Sequence, residues 1–216
     1  MNIVFEITTD LQLLNQYYKL RETSFKKILR LPDFCGQEEE LDRQSDILIA
    51  RVGAQCLGGV RICGVDESDL LPLESHRHDL PSQLPDLNLD QYGYCQWMRL
   101  TMCSDTLYPN EKLHQQFFLA LTKFSVSLGY RYGFCLSSKV HQRFYKKFFS
   151  QYDCNYWSCE GINVASESKF NDLEHLLCVT DMHSLGGDDF INSQANLNAT
   201  YHLNNQIKPP LYYCKS

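Results

Sequence analysis

The 216-residue sequence predicts an α/β (α+β) fold, one mixed central sheet with helices on both faces. Three observations predict it. Short β-type runs alternate with long segments of helical period. The order reads β-α-β-β-loop-β-α-β-α-β-β, which brings helices to both sides of one sheet. The composition, 44% hydrophobic and 21% charged, is that of an ordinary globular domain of this length. We expect a single domain over residues 1–181 and a polar tail over 182–216, rich in Asn, Gly and Ser with Pro209 and Pro210.

"NIVFEI" at the start is a short strand. "DLQLLNQYYKLRETSFKKIL" is a helix with Asp10 as N-cap; Leu13, Leu14, Tyr17, Leu20, Ser24, Phe25 and Ile28 follow helical spacing, and Pro32 ends it. "PDFCGQEEELDRQS" is an acidic loop. "DILIARVGAQCLGGVRICGV" is two strands around a turn at Gly53-Ala54-Gln55. Residues 66–93, with Pro72, Pro81 and Pro85, form a connection long enough to carry function. "YCQWMRLTM" is a strand. "PNEKLHQQFFLALTKFSVSLGY" is an amphipathic helix striped by Leu113, Phe117, Leu121, Phe124 and Leu128, with Gly129 at its C-terminal cap. "RYGFCLSS" is a strand, "KVHQRFYKKFF" a short basic helix, and "CNYWSCEG" and "EHLLCVTD" are two last strands.

A net charge of −6 and a pI near 5.6 argue against a general nucleic-acid binder. No apolar run approaches the ~20 residues of a membrane helix. The N-terminus, with Glu6 and no basic region, does not read as a signal peptide. Ten cysteines occur without C-x-x-C spacing, and several sit in apolar runs where a thiol acts as a small hydrophobe. We expect a reduced, cytoplasmic protein with no metal site. G-x-S-x-G, P-loop, H-E-x-x-H and G-x-G-x-x-G motifs are all absent from the sequence.

Arginine inside an apolar strand is the feature that calls for function. By strict alternation Arg99 shares a face with Cys95, Trp97, Thr101 and Cys103, and Gln96, Met98, Leu100 and Met102 share the other. A buried guanidinium needs a partner. Arg61 raises the same question in "GGVRI". Asp42 and Asp46, flanking Arg43 before a strand, are carboxylates that could pair with Arg21 and Arg99 or hold a cationic substrate. Arg21 and Phe25, four apart, lie on one helix face, where a solvated Arg21 is the simpler reading. Lys139, His141, Arg143, Lys146 and Lys147 crowd one short helix, a dock for an acidic partner unless it is merely a solvated face. The helix entry "CSDTLYPNEKLHQQ" has no Gly, so it lacks the Gly-rich turn that would cradle a pyrophosphate.

These pieces together resemble the acyl-homoserine-lactone (autoinducer) synthases, which share the fold of the Gcn5-related N-acetyltransferases (GNAT). "YKLRETSF", "ELDRQSD", "GGVRI", "QWMRL" and the helix–strand–helix run to "HQRFYKKFF" carry the resemblance, over about residues 10–160. The resemblance implies a GNAT-like acyl-CoA N-acyltransferase fold. It sets Arg21 and Phe25 on the family's first helix, Asp42 and Asp46 on its acidic pair, Arg61 on its Gly-x-x-Arg strand and Arg99 on its Glu-x-x-Arg motif, an electrostatic cluster around the acceptor. The Glu of that last motif is Gln96 here, Leu31 or Phe34 stands near the place of the family's Trp, and "RICG" replaces Arg-Leu-Leu-Pro. The N-acyl amino acid synthases, relatives that close no lactone, tolerate these departures better.

The implied reaction passes a fatty acyl group from acyl carrier protein or acyl-CoA to the amine of an amino acid or S-adenosylmethionine. No tightly bound cofactor is expected. Arg21, Asp42, Asp46, Gln96 and Arg99 are the expected catalytic set, with Asp42 or Asp46 as base through water. Phe25, Arg61, Trp97, Leu100, Thr101 and Met102 would meet substrate. The donor would lie where the Arg99 strand and "RYGFCLSS" splay apart, with backbone N–H groups near Leu100 to Met102 on the thioester carbonyl. Lys139, Arg143, Lys146 and Lys147 would meet the acidic carrier protein. The alternatives are a catalytically inactive acyl-carrier-binding protein and an ordinary acetyl-CoA N-acetyltransferase.

Overall fold

The computed structural model describes residues 3–64, 71–74, 79–103, 110–152, 154–162, 170, 175–183 and 199–202. The expected order is present: β1 (Ile3–Ile7), α1 (Leu11–Ile28), α2 (Glu40–Arg43), β2 (Asp46–Val52), β3 (Gln55–Gly64), α3 (Leu80–Gln83), β4 (Gly93–Met102), α4 (Asn110–Ser127), β5 (Tyr130–Ser137), α5 (Lys139–Phe149), β6 (Asn155–Ser158), β7 (Leu176–Asp181) and β8 (Ala199–His202). The strands form one mixed sheet in the order β6-β7-β5-β4-β3-β2-β1-β8. Two short helices and β8 go beyond the sequence reading. β8 lies in the segment read as a tail and adds a parallel strand to β1. Residues 104–109 of the Gly-free helix entry lie outside the described residues.

Alternation sorts the side chains onto two faces. Ile47, Ile49 and Cys56 join Leu13 and Tyr17 of α1 on the first. Leu48, Ala50, Val60 and Ile62 join Phe117, Leu121 and Phe124 of α4 and Phe149 of α5 on the second. Toward β5 and β7 the first face is covered by the β3–β4 connection, through Leu71, Leu73 and Leu80 on Tyr94, Phe134 and Val179. Asp10 caps α1 as expected, accepting from Gln12 N and Leu13 N. The buried stripe of α1 runs through Leu13, Tyr17, Tyr18, Arg21 and Phe25, whereas Ile28 is exposed. An arginine thus occupies a core position of an amphipathic helix, and the solvated reading of Arg21 is overturned.

Alternation fails in the middle of β4. β3 pairs Arg61 with Met98 and Gly59 with Thr101, so Arg99 and Leu100 together oppose Val60. This is a β-bulge. Arg99 takes the left-handed conformation, φ +58°, which a side chain adopts at a cost of about 1–3 kcal/mol. The extra residue resets the register. Cys95, Trp97, Leu100 and Met102 meet the α4 side, while Gln96, Met98, Arg99 and Thr101 fall on the α1 side. The grouping of Arg99 with Trp97 by strict alternation is therefore corrected.

β4 runs parallel to β5 only from Gly93 to Gln96, paired with Tyr130 to Phe134. Past that point β5 continues to Ser137 on β7, and β4 continues to Met102 on β3. The two strands part immediately before the bulge, leaving backbone groups of both unpaired with each other. Just before the parting, the Trp97 indole lies over Gly133, the partner of Cys95, where a Cβ would stand 2.6 Å from Cε2. Only glycine admits the ring there.

Candidate functional site

A charged network lies under α1, beside the bulge. Asp42 sits at the third position of α2, whose N-cap residue is Glu39. Arg21 of α1 grips Asp42 with both terminal nitrogens, NH1 to Oδ1 and NH2 to Oδ2 at 3.0 Å each. Its NH2 also donates to the carbonyls of Gly36 and Gln37 at 3.0 and 2.6 Å. Arg61 NH1 donates to Asp42 Oδ1 at 3.1 Å and to Glu39 Oε2 at 2.8 Å. Arg99 meets Glu39 as a fork, Nε to Oε2 at 3.1 Å and NH2 to Oε1 at 3.2 Å. The Glu39 N–H donates to Asp42 Oδ2 at 2.8 Å. The Arg21, Arg61 and Asp42 side chains are 0% exposed, Arg99 6% and Glu39 21%.

Burial alone would lower the pKa of Arg21, but the hydrogen bonds to Asp42 and the surrounding negative charge raise it on balance. Arg61 behaves in the same way beside Cys63, Asp42 and Glu39. Tyr17, fully buried, is held well above the usual phenol range by desolvation and so stays a donor. Its hydroxyl donates to the Arg99 carbonyl at 2.9 Å and ties α1 to the bulge. Behind the network, Phe25 packs on Phe34 with centroids 4.7 Å apart, and both meet Phe170. The Arg99 guanidinium lies 5.0 Å from the Phe170 centroid, a cation–π distance.

The network assembles Arg21, Asp42, Arg61, Arg99 and Phe25 from the expected set. Three assignments change. Arg99 pairs with Glu39 rather than with Asp42 or Asp46. Asp46 alternates with Leu48 and Ala50 on the α4 face, where its charge acts on Cys95 and Tyr130. Gln96 is 2% exposed, and its Oε1 accepts from Leu73 N at 3.0 Å, so its side chain anchors the β3–β4 connection. Thr101 is on the network face with its hydroxyl unpaired among the described residues. Trp97, Leu100 and Met102 are on the other face, where Trp97 Nε1 donates to Ser125 Oγ at 3.0 Å and the ring stacks on Phe149.

Sequence reasoning missed Glu39, Tyr17 and Phe170. Glu39 is the middle of the three glutamates 38–40. Its one signal is the spacing to Asp42, an acid at an N-cap with its partner three residues on. On α5, Lys139, Arg143, Lys146 and Lys147 are all exposed, and Ser138 caps the helix through His141 N. Among the described residues no group of three His, Cys, Asp or Glu could hold a metal ion, and no helix is long and apolar enough to cross a membrane.

No protein-family model and no curated protein matches the chain in sequence. Its architecture is the GNAT-like acyltransferase fold. The CoA-dependent acyl-homoserine lactone synthase BjaI, solved with SAM and isopentyl-CoA, superposes with a TM-score of 0.63 at 15% identity, 95% of each chain being covered. The AHL synthase LasI gives 0.56 at 13% identity, over 84% of this chain and 88% of that one. FeeM, an N-acyl amino acid synthase from uncultured soil microbes, gives 0.53 at 11% identity, over 82% and 88%. At these identities the likeness is one of fold.

Proposed function

We propose that the protein is an N-acyltransferase that moves an acyl group from a carrier-protein or CoA thioester to the amine of an amino acid or of S-adenosylmethionine. The observation that carries this reading is the bulge at Arg99 beside the parting of β4 and β5, with a buried arginine–carboxylate network on one side of it. Strands that part leave backbone donors and acceptors for an extended ligand to pair with, as an added strand would. A pantetheine arm has amides of the right spacing for this. The thioester carbonyl then lies at the bulge, where backbone N–H groups of Leu100 to Met102 stabilise the oxyanion of the tetrahedral intermediate.

The acceptor approaches on the network side of the bulge, beside Arg99, whose guanidinium is backed by Phe170. The amine nitrogen must be neutral to attack. The network sets three guanidiniums against two carboxylates; its net positive charge favours that state, and the proton leaves to solvent. Asp42 has both oxygens engaged by arginines and serves to orient them. Collapse of the intermediate forms the amide and expels the thiol, which takes up a proton. No covalent enzyme intermediate is required. The exposed cations of α5, Lys139, Arg143, Lys146 and Lys147, suit an acidic acyl carrier protein, and a cytoplasmic setting suits such a donor.

The neutral Gln96, engaged with Leu73, favours a second reading, a non-catalytic acyl-carrier-binding protein on the same fold. One experiment separates the two. Organic extracts of cells overproducing the protein, and of cells making Arg99→Ala, are compared by mass spectrometry. A new N-acyl amino acid or N-acyl homoserine lactone absent from the variant supports transfer. Identical extracts, together with carrier-protein binding abolished by Lys146→Glu/Lys147→Glu, support binding alone.

A further inference from the structure

We infer that Glu39 is the positioning residue of this site: it sets the Arg99 guanidinium against the bulge and supplies the negative charge that the β4 strand itself lacks. The inference rests on the acyltransfer reading for its kinetic consequences.

The geometry separates Glu39 from the other acids. Of the three glutamates 38–40, Glu38 pairs with the exposed Arg43 and Glu40 is exposed. Glu39 alone of them turns inward, onto two arginines of two different strands. Its two oxygens meet the Nε–NH2 edge of Arg99, the planar fork that a carboxylate matches best. Arg99 therefore has its guanidinium fixed on one edge by Glu39 and on one face by Phe170. Its main chain is fixed by Tyr17. A left-handed backbone points this side chain off the regular path of the strand, so it needs such fixing to hold one direction.

The strand offers no substitute. Gln96 shares the face of Arg99 but is neutral and bonded to Leu73 N. Asp42 is enclosed by Arg21 and Arg61, and Asp46 is on the other side of the sheet. Glu39 is also the network carboxylate that reaches solvent, at 21% exposure against 0% for Asp42. It thus couples the buried pair of α1 and α2 to the residue that borders the reacting centre.

The test uses Glu39→Gln, which keeps size and hydrogen-bonding oxygen at the α2 N-cap but removes the charge. With the purified protein and a defined acyl thioester, we expect the acceptor KM to rise and kcat to fall, about tenfold or more together in kcat/KM. Donor affinity should stay within about twofold. Gln96→Glu in the Glu39→Gln background returns a carboxylate to the same face, and we expect it to recover at least about threefold of the loss. Unchanged acceptor kinetics in Glu39→Gln would overturn the inference. So would donor and acceptor constants that fall alike with a lowered Tm, because that pattern is general unfolding. A double-mutant cycle of Glu39→Gln and Arg99→Gln, read by Tm, tests the coupling without reference to activity. Additive Tm shifts overturn the inference. A wild-type protein that transfers no acyl group, with a strongly coupled cycle, would instead sink the proposed function and leave the positioning contact standing.

Discussion

Replacing Asp42 by Asn should be among the most damaging single changes of one atom type in this chain. Asp42 accepts from Arg21 NH1, Arg21 NH2, Arg61 NH1 and the Glu39 N–H. No part of its side chain reaches water. Asn has one acceptor oxygen where Asp has two, and its NH2 must face guanidinium donors. The variant loses the charge opposite two buried cations and puts donor against donor. Breaking a buried pair by removing one partner destabilises by about 3–5 kcal/mol. Hydrogen bonds to charged groups at about 1.5–3 kcal/mol each give the same scale. At about 2–4 °C per kcal/mol for a chain of this size, Tm should fall by about 6–20 °C. Urea titrations would show a lower midpoint at unchanged slope. The loss should persist in high salt, since a buried pair is little screened. The paired change Arg21→Met/Asp42→Leu should regain part of the stability, because one of the two guanidiniums left without Asp42 is then removed while Arg61 keeps Glu39, but it should not regain acyl transfer. A loss below about 1 kcal/mol for Asp42→Asn would refute the reasoning, since the network would then not be closed to water.

Gly133→Ala should destabilise by about 1–3 kcal/mol, because the new methyl meets the Trp97 ring; Trp97→Phe in the same chain should relieve part of it, read by urea midpoint. Glu74 carries a pH prediction. Its carboxylate accepts from Leu71 N and Leu80 N, yet burial outweighs these bonds and raises its pKa. A raised folded pKa means stability fully present below the ordinary Glu value and lost as pH rises through the folded one. The stability difference, wild type minus Glu74→Gln, should therefore decrease as pH rises above the ordinary Glu value, and an increase would contradict the assignment.

The sequence by itself determined the layers. Helical period in α1 and α4, alternation in β2 and β3 and the breaks at Pro32, Gly53 and Gly129 are local signals, and burial of the apolar faces follows from them. It also marked Arg61 and Arg99 as residues needing partners, since a guanidinium in an apolar strand is costly wherever the fold puts it. Which partner each arginine has was decided only by tertiary structure. Asp42 and Asp46 are four apart in sequence and equally acidic, yet the end of α2 and the start of β2 place them on opposite faces. Glu39 reaches Arg99 across sixty residues of sequence; its spacing to Asp42 marks a helix cap but names no partner in β4. The bulge at Arg99 is equally silent in sequence, because a non-glycine left-handed residue is held there by contacts with Tyr17, Glu39 and Phe170 rather than by its own preference. Local chemistry sets which elements form; the pairing of buried charges depends on distances that exist only once those elements are packed.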